Sequence, residues 1–488
     1  MPFFTKKTPK SLKKPPKWSD LWLFKEKPVK HVVFKMQLDS NTLTLDQHQD
    51  EGEEPLHLHR PSSGPAAASV DPTSLLSDSD LLHILSLLPV SQHKSISLVC
   101  RRWLSLAGRL RESLTLLDFP FLSSGRLFAR FPNLTDVDLV PASIQTPQNS
   151  SIILTHAFLS LHLGSDFSSG CFFRDELLLP SDFIDNGLRV LARGCPNLRK
   201  LVLIAATVMG LSSVAAHCPT LQELELHRCT DLSLRAISAC ENLQILRLIG
   251  FLDGFYDSPV TDIGLTILAH GCRRLVKLEL SGCEGSYDGI SAIGQCCPML
   301  EELTLCDHRM DGGWIAALSF CGNLKTLRLQ GCKRIDSDPG SVEHLGSCLM
   351  LERLQLQRCQ LRDKQSMMAL FLVCGGVREI EFQDCWGLDN QMFGIASICR
   401  RVKFLSLEGC SLLTTEGLKS VILSWKELQR LRVVSCNNIK DGEVTPDLAS
   451  LFSVLKDFKW QPDSRSVLAS SLAGTGMGTR GGRFFKRA

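Results

Sequence analysis

The chain has 488 residues, with 54 lysines and arginines against 51 aspartates and glutamates, and its formal net charge is +3. This charge is too small to indicate nucleic-acid binding by the chain as a whole. The longest apolar stretches, such as 201–211, fall well short of the roughly 18 residues that suggest a membrane span. We therefore expect neither nucleic acid nor a membrane among its partners.

The N-terminal segment, 1–70, has the composition of a disordered arm and linker. Residues 1–35 carry ten lysines against two acidic residues and are interrupted by prolines, and 39–71 is polar and then rich in Pro, Ser and Ala. Such segments bury too little apolar surface to fold alone. The lysines form a solvated basic arm, a nuclear import signal or a weak attachment to acidic surfaces, and the aromatic stretch 18–38 docks onto either the repeats or a partner.

A helical unit is predicted at 71–111. Apolar residues recur there at spacings of three and four, Pro89 follows them, and Trp103 closes a second apolar run. Ser77 or Ser79 can cap the first helix, and Pro89 predicts its end. Two or three short helices that are apolar on more than one side cannot cover all of this surface themselves. The unit therefore needs a partner.

An apolar phrase, L-x-x-L-x-L, occurs ten times within 195–440 at steps of roughly 25 residues, with one longer step between Leu243 and Leu275. This period and core pattern are typical of leucine-rich repeats, each of which adds one short strand and one return helix to a solenoid. We predict an α/β horseshoe over 112–462, with degenerate early copies at Leu114 and 132–139 and a last strand at 455–460. The ten phrases begin at Leu198, Leu221, Leu243, Leu275, Leu300, Leu324, Leu351, Val377, Val402 and Leu428.

Two insertions interrupt the repeats, and a tail follows them. The longer insertion, 141–181, contains Ile152, Phe158 and other apolar residues, which favours a packed cover or binding element over free coil. The shorter one, around 251–259, accounts for the single longer step between phrases. Both are candidate substrate-contacting loops. Residues 463–488 are glycine-rich and basic, as expected of a disordered tail.

Most of the 20 cysteines hold fixed places in the repeat. Nine precede a phrase by three residues and seven follow one by three, so equivalent sulfurs lie in rows along the solenoid, where a small thiol packs well. Zinc binding would need closely paired ligands, and no two cysteines have C-x-x-C spacing. A disulfide framework suits short secreted chains. We expect buried, reduced thiols and a location in the cytoplasm, the nucleus or both.

Catalytic and cofactor-binding motifs are missing from the sequence. It contains no H-E-x-x-H, no G-x-x-x-x-G-K-[ST] and no G-x-S-x-G. His57 and His59 are more readily explained as solvated linker residues than as metal ligands. We therefore predict a protein that is not an enzyme and uses no cofactor or metal.

The run LLSDSDLLHILSLLPVSQHKSISLVCRRWLSLA, residues 75–107, resembles an F-box. It has a leucine-rich first helix, Leu88-Pro89 at its end, and Val99-Cys100-Arg101 with Trp103 closing the motif. This resemblance covers about 40 residues and the repeats about 300 more. Together they resemble F-box/leucine-rich-repeat proteins, with the plant members the nearest in character.

The resemblance implies that the helical unit binds the adaptor Skp1 and, through it, a cullin–RING scaffold. The alternative for each apolar residue is packing within the unit itself, Ile84, Leu98 and Cys100 included. The implied adaptor-binding set is Leu75, Leu76, Leu81, Leu82, Leu85, Pro89, Val99 and Trp103.

Substrate recognition is expected on the concave face of the repeats. In L-x-x-L-x-L the leucines point inward, so the residues between them point outward along each strand. Both outward rows mix positive, negative and neutral residues, which fits a protein or peptide partner better than a polyphosphorylated small molecule, because the latter needs concentrated Lys and Arg. The candidate contact residues are Glu225, Arg247, Glu279, Arg328, Gln355, Glu381 and Arg432.

Two functions remain open from the sequence. In the first, the chain is the substrate-recognition subunit of an SCF-type ubiquitin ligase. In the second, it is a non-catalytic repeat scaffold whose F-box does not support ligase activity.

Overall fold

A computed structural model of the chain describes residues 72–144, 178–250, 260–341, 345–466 and 468. The basic arm and linker at 1–70, most of the 141–181 insertion, the 251–259 loop and nearly all of the basic tail lie outside the described residues. The predictions for those segments therefore remain predictions.

The described part begins with a small helical unit. Residues Pro72–Leu75 form a 3₁₀ turn, followed by α1 (Asp78–Ser86), α2 (His93–Ile96) and α3 (Arg101–Arg109). Ser77 caps α1 in a capping box, in which its hydroxyl accepts the Asp80 N–H at 3.2 Å and the Asp80 carboxylate accepts the Ser77 N–H at 3.3 Å. The first of the two predicted caps is confirmed. The unit has its own core, made of Leu81, Leu85, Ile96, Leu106 and Ala107.

A single thirteen-stranded parallel sheet follows, in which the strands lie in sequence order. Every phrase found in the sequence forms one strand, and the early copies and the last strand are also present, so the predicted α/β leucine-rich-repeat solenoid is confirmed. The strands are β1 Ser113–Thr115, β2 Asp136–Asp138, β3 Lys200–Ile204, β4 Glu223–His227, β5 Ile245–Ile249, β6 Lys277–Ser281, β7 Glu302–Cys306, β8 Thr326–Gln330, β9 Arg353–Gln357, β10 Glu379–Gln383, β11 Phe404–Glu408, β12 Arg430–Val434 and β13 Asp457–Gln461.

Helices return the chain from one strand to the next over most of the sheet. Adjacent strands pair in phase, so that residues at one place in the phrase are direct neighbours, as Leu246 and Leu278 are. The helices after β1 are α4 Phe119–Ser123, α5 Arg126–Arg130, α6 Ser181–Gly194, α7 Val208–His217, α8 Asp231–Ile237, α9 Asp262–Gly271, α10 Tyr287–Cys296, α11 Trp314–Ala317, α12 Lys364–Val373, α13 Asn390–Gly394, α14 Thr415–Ile422 and α15 Pro446–Val454.

A ladder of capping bonds ties successive helices together. Asp262, in the first turn of α9, accepts the Ser286 N–H at 2.7 Å and the Ser286 hydroxyl at 2.6 Å, and Ser286 is itself the N-cap of α10. Asp185 bonds the cap Thr207 in the same way, and Asp231 bonds Thr261. Each acid thus bonds the cap of the next helix, and Asp231 and Asp262 also lie in the first turn of their own helices, where a negative charge is favourable.

The buried cysteines join neighbouring repeats through their thiols. Cys272, which precedes a phrase, has its Sγ 3.5 Å from the Ile237 carbonyl oxygen, and Cys385, which follows one, has its Sγ 3.2 Å from that of Leu356. Burial raises the pKa of Cys218 and of Cys385 to about 12. The prediction of buried free thiols is confirmed for the repeat cysteines. They act as small core residues with a weak S–H donor.

Cys218 and Cys385 should resist alkylation in the folded protein. A rise in pKa from 9 to about 12 lowers the thiolate fraction about a thousandfold at neutral pH, and burial blocks access as well. We expect iodoacetamide to modify the exposed Cys100 first, Cys296 slowly and Cys385 only after denaturation, as measured by peptide mass spectrometry. Rapid labelling of Cys385 in the native chain would contradict the packing described here.

The ends of the 141–181 insertion pack on the concave face. Val140 and Ile144 contact Val202 and Ile204, and Ile144 bridges antiparallel to Leu178. At the other end of the solenoid, α15 and β13 cover the last repeat. There the rings of Phe452, Phe458 and Trp460 stack, and the Trp460 indole N–H donates to Asp441 at 2.7 Å.

Candidate functional site

Apolar side chains lie on the surface of the helical unit. Leu75 is 83% exposed and Leu98 is 76% exposed, and Ile84, Leu87 and Val99 are exposed as well. Large leucines are uncommon on a solvated surface in such density, and a patch of this kind typically marks a protein interface. It is the feature of the unit that most needs a partner.

Arg102 holds the edge of this patch in place. Its guanidinium donates to the Thr73 carbonyl at 2.9 Å, to the Leu76 carbonyl at 2.6 Å and to the Asp78 carboxylate at 2.8 Å. The turn that carries Leu75 and Leu76 is thereby tied to α3. Arg102 was not among the predicted site residues, because its role depends on a contact between segments that are distant in the sequence.

The structure corrects part of the predicted adaptor-binding set. Leu81 and Leu85 are 2% and 0% exposed, since they face α3 in the core of the unit, and they offer no surface to a partner. Leu82 and Trp103 are half-buried against that core. Leu75, Leu76, Pro89 and Val99 are exposed.

The alternative assignment of Ile84, Leu98 and Cys100 to internal packing is wrong for the same unit. All three are exposed. Helical spacing identifies apolar stripes on α1, but two stripes are present, and spacing alone does not say which of them faces inward.

On the concave face, side chains at the middle outward position of neighbouring strands contact one another. Arg247 on β5 lies 3.3 Å from the Glu225 carboxylate on β4 and 3.3 Å from that of Glu279 on β6. His227 Nε2 lies 2.9 Å from Glu225 Oε1. Burial lowers the pKa of Arg247, but the charges of Glu279, Glu225 and Glu223 outweigh it and raise the pKa overall. Burial raises the pKa of Glu279 in spite of the nearby arginines.

Two of the predicted contact residues are buried. Glu225 is 4% exposed and contacts Arg247 and His227, and Gln355 is 9% exposed and accepts the Arg328 Nε–H at 2.6 Å. Neighbouring strands are only about 4.8 Å apart, so long side chains reach across and cover each other. Glu381 stays partly exposed, and Arg432 pairs with Glu408 at 2.9 Å.

A charged groove of about 400 Å³ runs along the first residues of the later strands. At its centre Glu379 accepts from Arg353 at 2.7 Å and from Arg430 at 2.6 Å, and Arg430 lies 4.5 Å above the Phe404 ring. Burial raises the pKa of Glu379, but the hydrogen bond from Arg353 and the charges of both arginines lower it overall. This row was not predicted, because only two outward positions per strand were considered from the sequence.

Two kinds of feature are absent from the described residues of the structure. Within them, no group of three or more His, Cys, Asp or Glu side chains is placed to hold a metal ion. A bilayer-spanning helix is likewise missing from the described part of the chain. The surfaces above can hold a partner by packing, hydrogen bonds and charge.

Comparison with known proteins places the helical unit and the repeats in context. No protein-family model matches the chain. The F-box protein SKIP1 of Arabidopsis thaliana is 32% identical over 155 residues, which are 31% of this chain and 45% of that protein. F-box protein SKIP19 of the same plant is 36% identical over 120 residues, 24% of this chain and 37% of that protein.

A "Putative RNA-binding protein EEED8.10" of Caenorhabditis elegans is 28% identical over 162 residues, 32% of this chain and 21% of that protein. The chain thus spans less than half the length of these curated relatives. Among solved structures, the mouse RP105/MD-1 complex matches 76% of this chain and 53% of its own at 19% identity and a TM-score of 0.43. A likeness this low says nothing of what this chain binds.

The small helical unit with its exposed leucines, the thirteen in-phase strands and the similarity to two plant F-box proteins together support the resemblance to F-box/leucine-rich-repeat proteins of the plant type.

Proposed function

We propose that this protein is the substrate-recognition subunit of an SCF-type ubiquitin ligase, acting in the cytoplasm, the nucleus or both. The helical unit binds a Skp1-like adaptor and through it a cullin–RING scaffold, and the concave face of the repeats holds a protein substrate. The observation that carries the proposal is that Leu75, Leu87, Leu98 and Val99 are all exposed on a unit whose core is already filled by other residues.

Such a protein accelerates ubiquitin transfer without supplying a catalytic side chain. It holds a substrate lysine near the activated thioester on a bound conjugating enzyme, so that a rare bimolecular encounter becomes effectively intramolecular. The tied Arg102 supports this role, because a pre-ordered patch costs less entropy on binding than a mobile one.

Co-purification with recombinant Skp1 tests the proposal. We expect the wild-type chain to capture Skp1 and a Leu98→Asp, Val99→Asp variant to lose at least about a hundredfold in affinity, because two charges would be buried in an apolar interface. Both residues are exposed, so circular dichroism should stay unchanged. The matched control is Leu232→Asp, on a 63% exposed leucine of α8, which should bind normally.

The competing function is a repeat scaffold whose F-box supports no ligase activity. If the well-folded wild-type chain fails to capture Skp1, the result contradicts the ligase function and supports the scaffold function. The scaffold function would also be favoured if the wild-type chain captures Skp1 but the cellular abundance of its bound partner protein is the same with the Leu98→Asp, Val99→Asp variant as with wild type.

A further inference from the structure

Three glutamines stand side by side at the last outward position of three adjacent strands. Gln330, Gln357 and Gln383 are paired in register across β8, β9 and β10, and we call them the glutamine strip. At the same position the preceding strands carry Ser281 and Cys306, and the following strand carries Glu408. The strip is thus a run of neutral amides within a mixed row.

The main-chain carbonyls of the strip are already used. They accept from the N–H groups of Asp307, Gly331 and Arg358 on neighbouring repeats, at 2.7 to 2.8 Å. The side-chain amides are not used in this way. Among the described residues, those of Gln357 and Gln383 make no hydrogen bond, and that of Gln330 only meets the Cys306 thiol at 3.8 Å.

Two charged side chains near the strip already have hydrogen-bond partners. Glu408, beside Gln383, accepts a hydrogen bond from Arg432 at 2.9 Å. Arg328, two residues before Gln330 on β8, donates one to Gln355 at 2.6 Å. A charged ligand group that bound Glu408 or Arg328 would have to compete with these contacts, whereas a neutral ligand would leave them in place. The strip therefore favours a partner that presents uncharged donors and acceptors together.

An exposed tryptophan lies close in sequence to the strip. Trp386 follows Gln383 by three residues and is 64% exposed. Its main chain is anchored, since its N–H donates to the Cys359 carbonyl at 2.9 Å and its carbonyl accepts from Leu361 at 2.7 Å. Tryptophan is the residue type most enriched among energetically dominant contacts in protein interfaces.

We propose that the glutamine strip binds an extended, uncharged segment of a partner polypeptide through that segment's main-chain N–H and C=O groups, with a large apolar side chain of the segment against Trp386. A glutamine amide both donates and accepts, as a peptide group does. The peptide groups of an extended chain recur about every 3.4 Å, so flexible glutamine side chains on strands about 4.8 Å apart can each reach one of them. The assignment of this segment to a ubiquitination substrate rests on the proposed function; the peptide binding does not.

Selection from a displayed library of random peptides, about twelve residues long, on the immobilised full-length chain tests the proposal. We expect enriched peptides to contain an uncharged run with at least one large apolar residue. Binding of a synthetic copy should weaken roughly tenfold or more in Gln357→Ala, Gln383→Ala and in Trp386→Ala, and should change little with salt concentration. The control Gln365→Ala, on an exposed amide of the convex helix α12, should bind as wild type.

Enrichment of charged peptides, binding that falls steeply with salt, no enrichment, or equal binding by the strip variants would each overturn the proposal. The Leu98→Asp, Val99→Asp variant separates this outcome from that of the proposed function. If it keeps the peptide while wild type fails to capture Skp1, only the ligase assignment fails; if wild type captures Skp1 but selects no peptide, only the strip assignment fails.

Discussion

Replacing Asp262 by alanine should lower the free energy of unfolding of the repeat domain by about 3 kcal/mol, because the carboxylate accepts three hydrogen bonds from the next repeat. Besides the N–H and hydroxyl of Ser286, it accepts the Gly289 N–H at 2.8 Å. Without it, the first turn of α10 loses the cap that joins it to α9. The measurement is the urea midpoint followed by circular dichroism, with hydrogen exchange to locate the loss in these two helices.

The matched control is Asp288→Ala, which removes an exposed carboxylate from the same helix turn. Its effect should stay below about 1 kcal/mol, which is the usual range for a charge near a helix N-terminus. Equal losses from the two substitutions would show that charge near the helix end, and not the capping bonds, stabilises this joint.

A glycine gives an independent check of the same joint. A β-carbon on Gly289 would collide with the Asp262 carboxylate and approach the Leu265 Cδ1 to 2.9 Å. Gly289→Ala should therefore destabilise the wild type but cost less in the Asp262→Ala background. Such non-additivity is what contacting residues show in double-mutant cycles.

The strands and the return helices could be predicted because every repeat unit contains the same pattern of core residues. Each phrase places leucines at the same inward positions, so an in-phase register follows directly from the spacing. The cysteine rows could be predicted for the same reason. Because the same positions are apolar in every copy, their burial can be predicted even where one copy deviates, as with Val377 or Val402 in place of leucine.

The surfaces were harder to predict because they depend on contacts between residues far apart in the chain. The pairing of Arg430 with Glu379 spans 51 residues and passes over Phe404. Glu225 and Gln355 occupy outward positions as expected, yet both are buried. In the F-box, Leu85 and Leu98 are equally apolar in sequence, and only the packing of α1 on α3 shows that one is core and the other surface.

His308 should make the stability of the repeats fall as the pH drops from about 6.5 to about 4. Its ring is 9% exposed and lies 5.5 Å from that of the buried Trp314, with Nδ1 accepting the Met310 N–H at 3.3 Å. Burial lowers the pKa of His308 from 6.5 to about 4, because the charged ring would lose its hydration without gaining a partner for Nε2.

The direction follows from proton linkage. Between these two pH values the unfolded chain takes up a proton on His308 while the folded chain keeps the ring neutral, so the unfolded state is favoured as the pH falls. The difference in pKa corresponds to about 3 kcal/mol by pH 4. The readout is the urea midpoint across this pH range for wild type and for His308→Gln, whose amide does not titrate and retains an acceptor for Met310. On acidification to pH 4, the free energy of unfolding of His308→Gln should fall by about 3 kcal/mol less than that of wild type. The control His270→Gln, at an exposed histidine, should show the same pH dependence as wild type. Parallel curves for wild type and His308→Gln would mean that other groups cause the acid sensitivity, and that the ring beside Trp314 takes up its proton without unfolding the repeat.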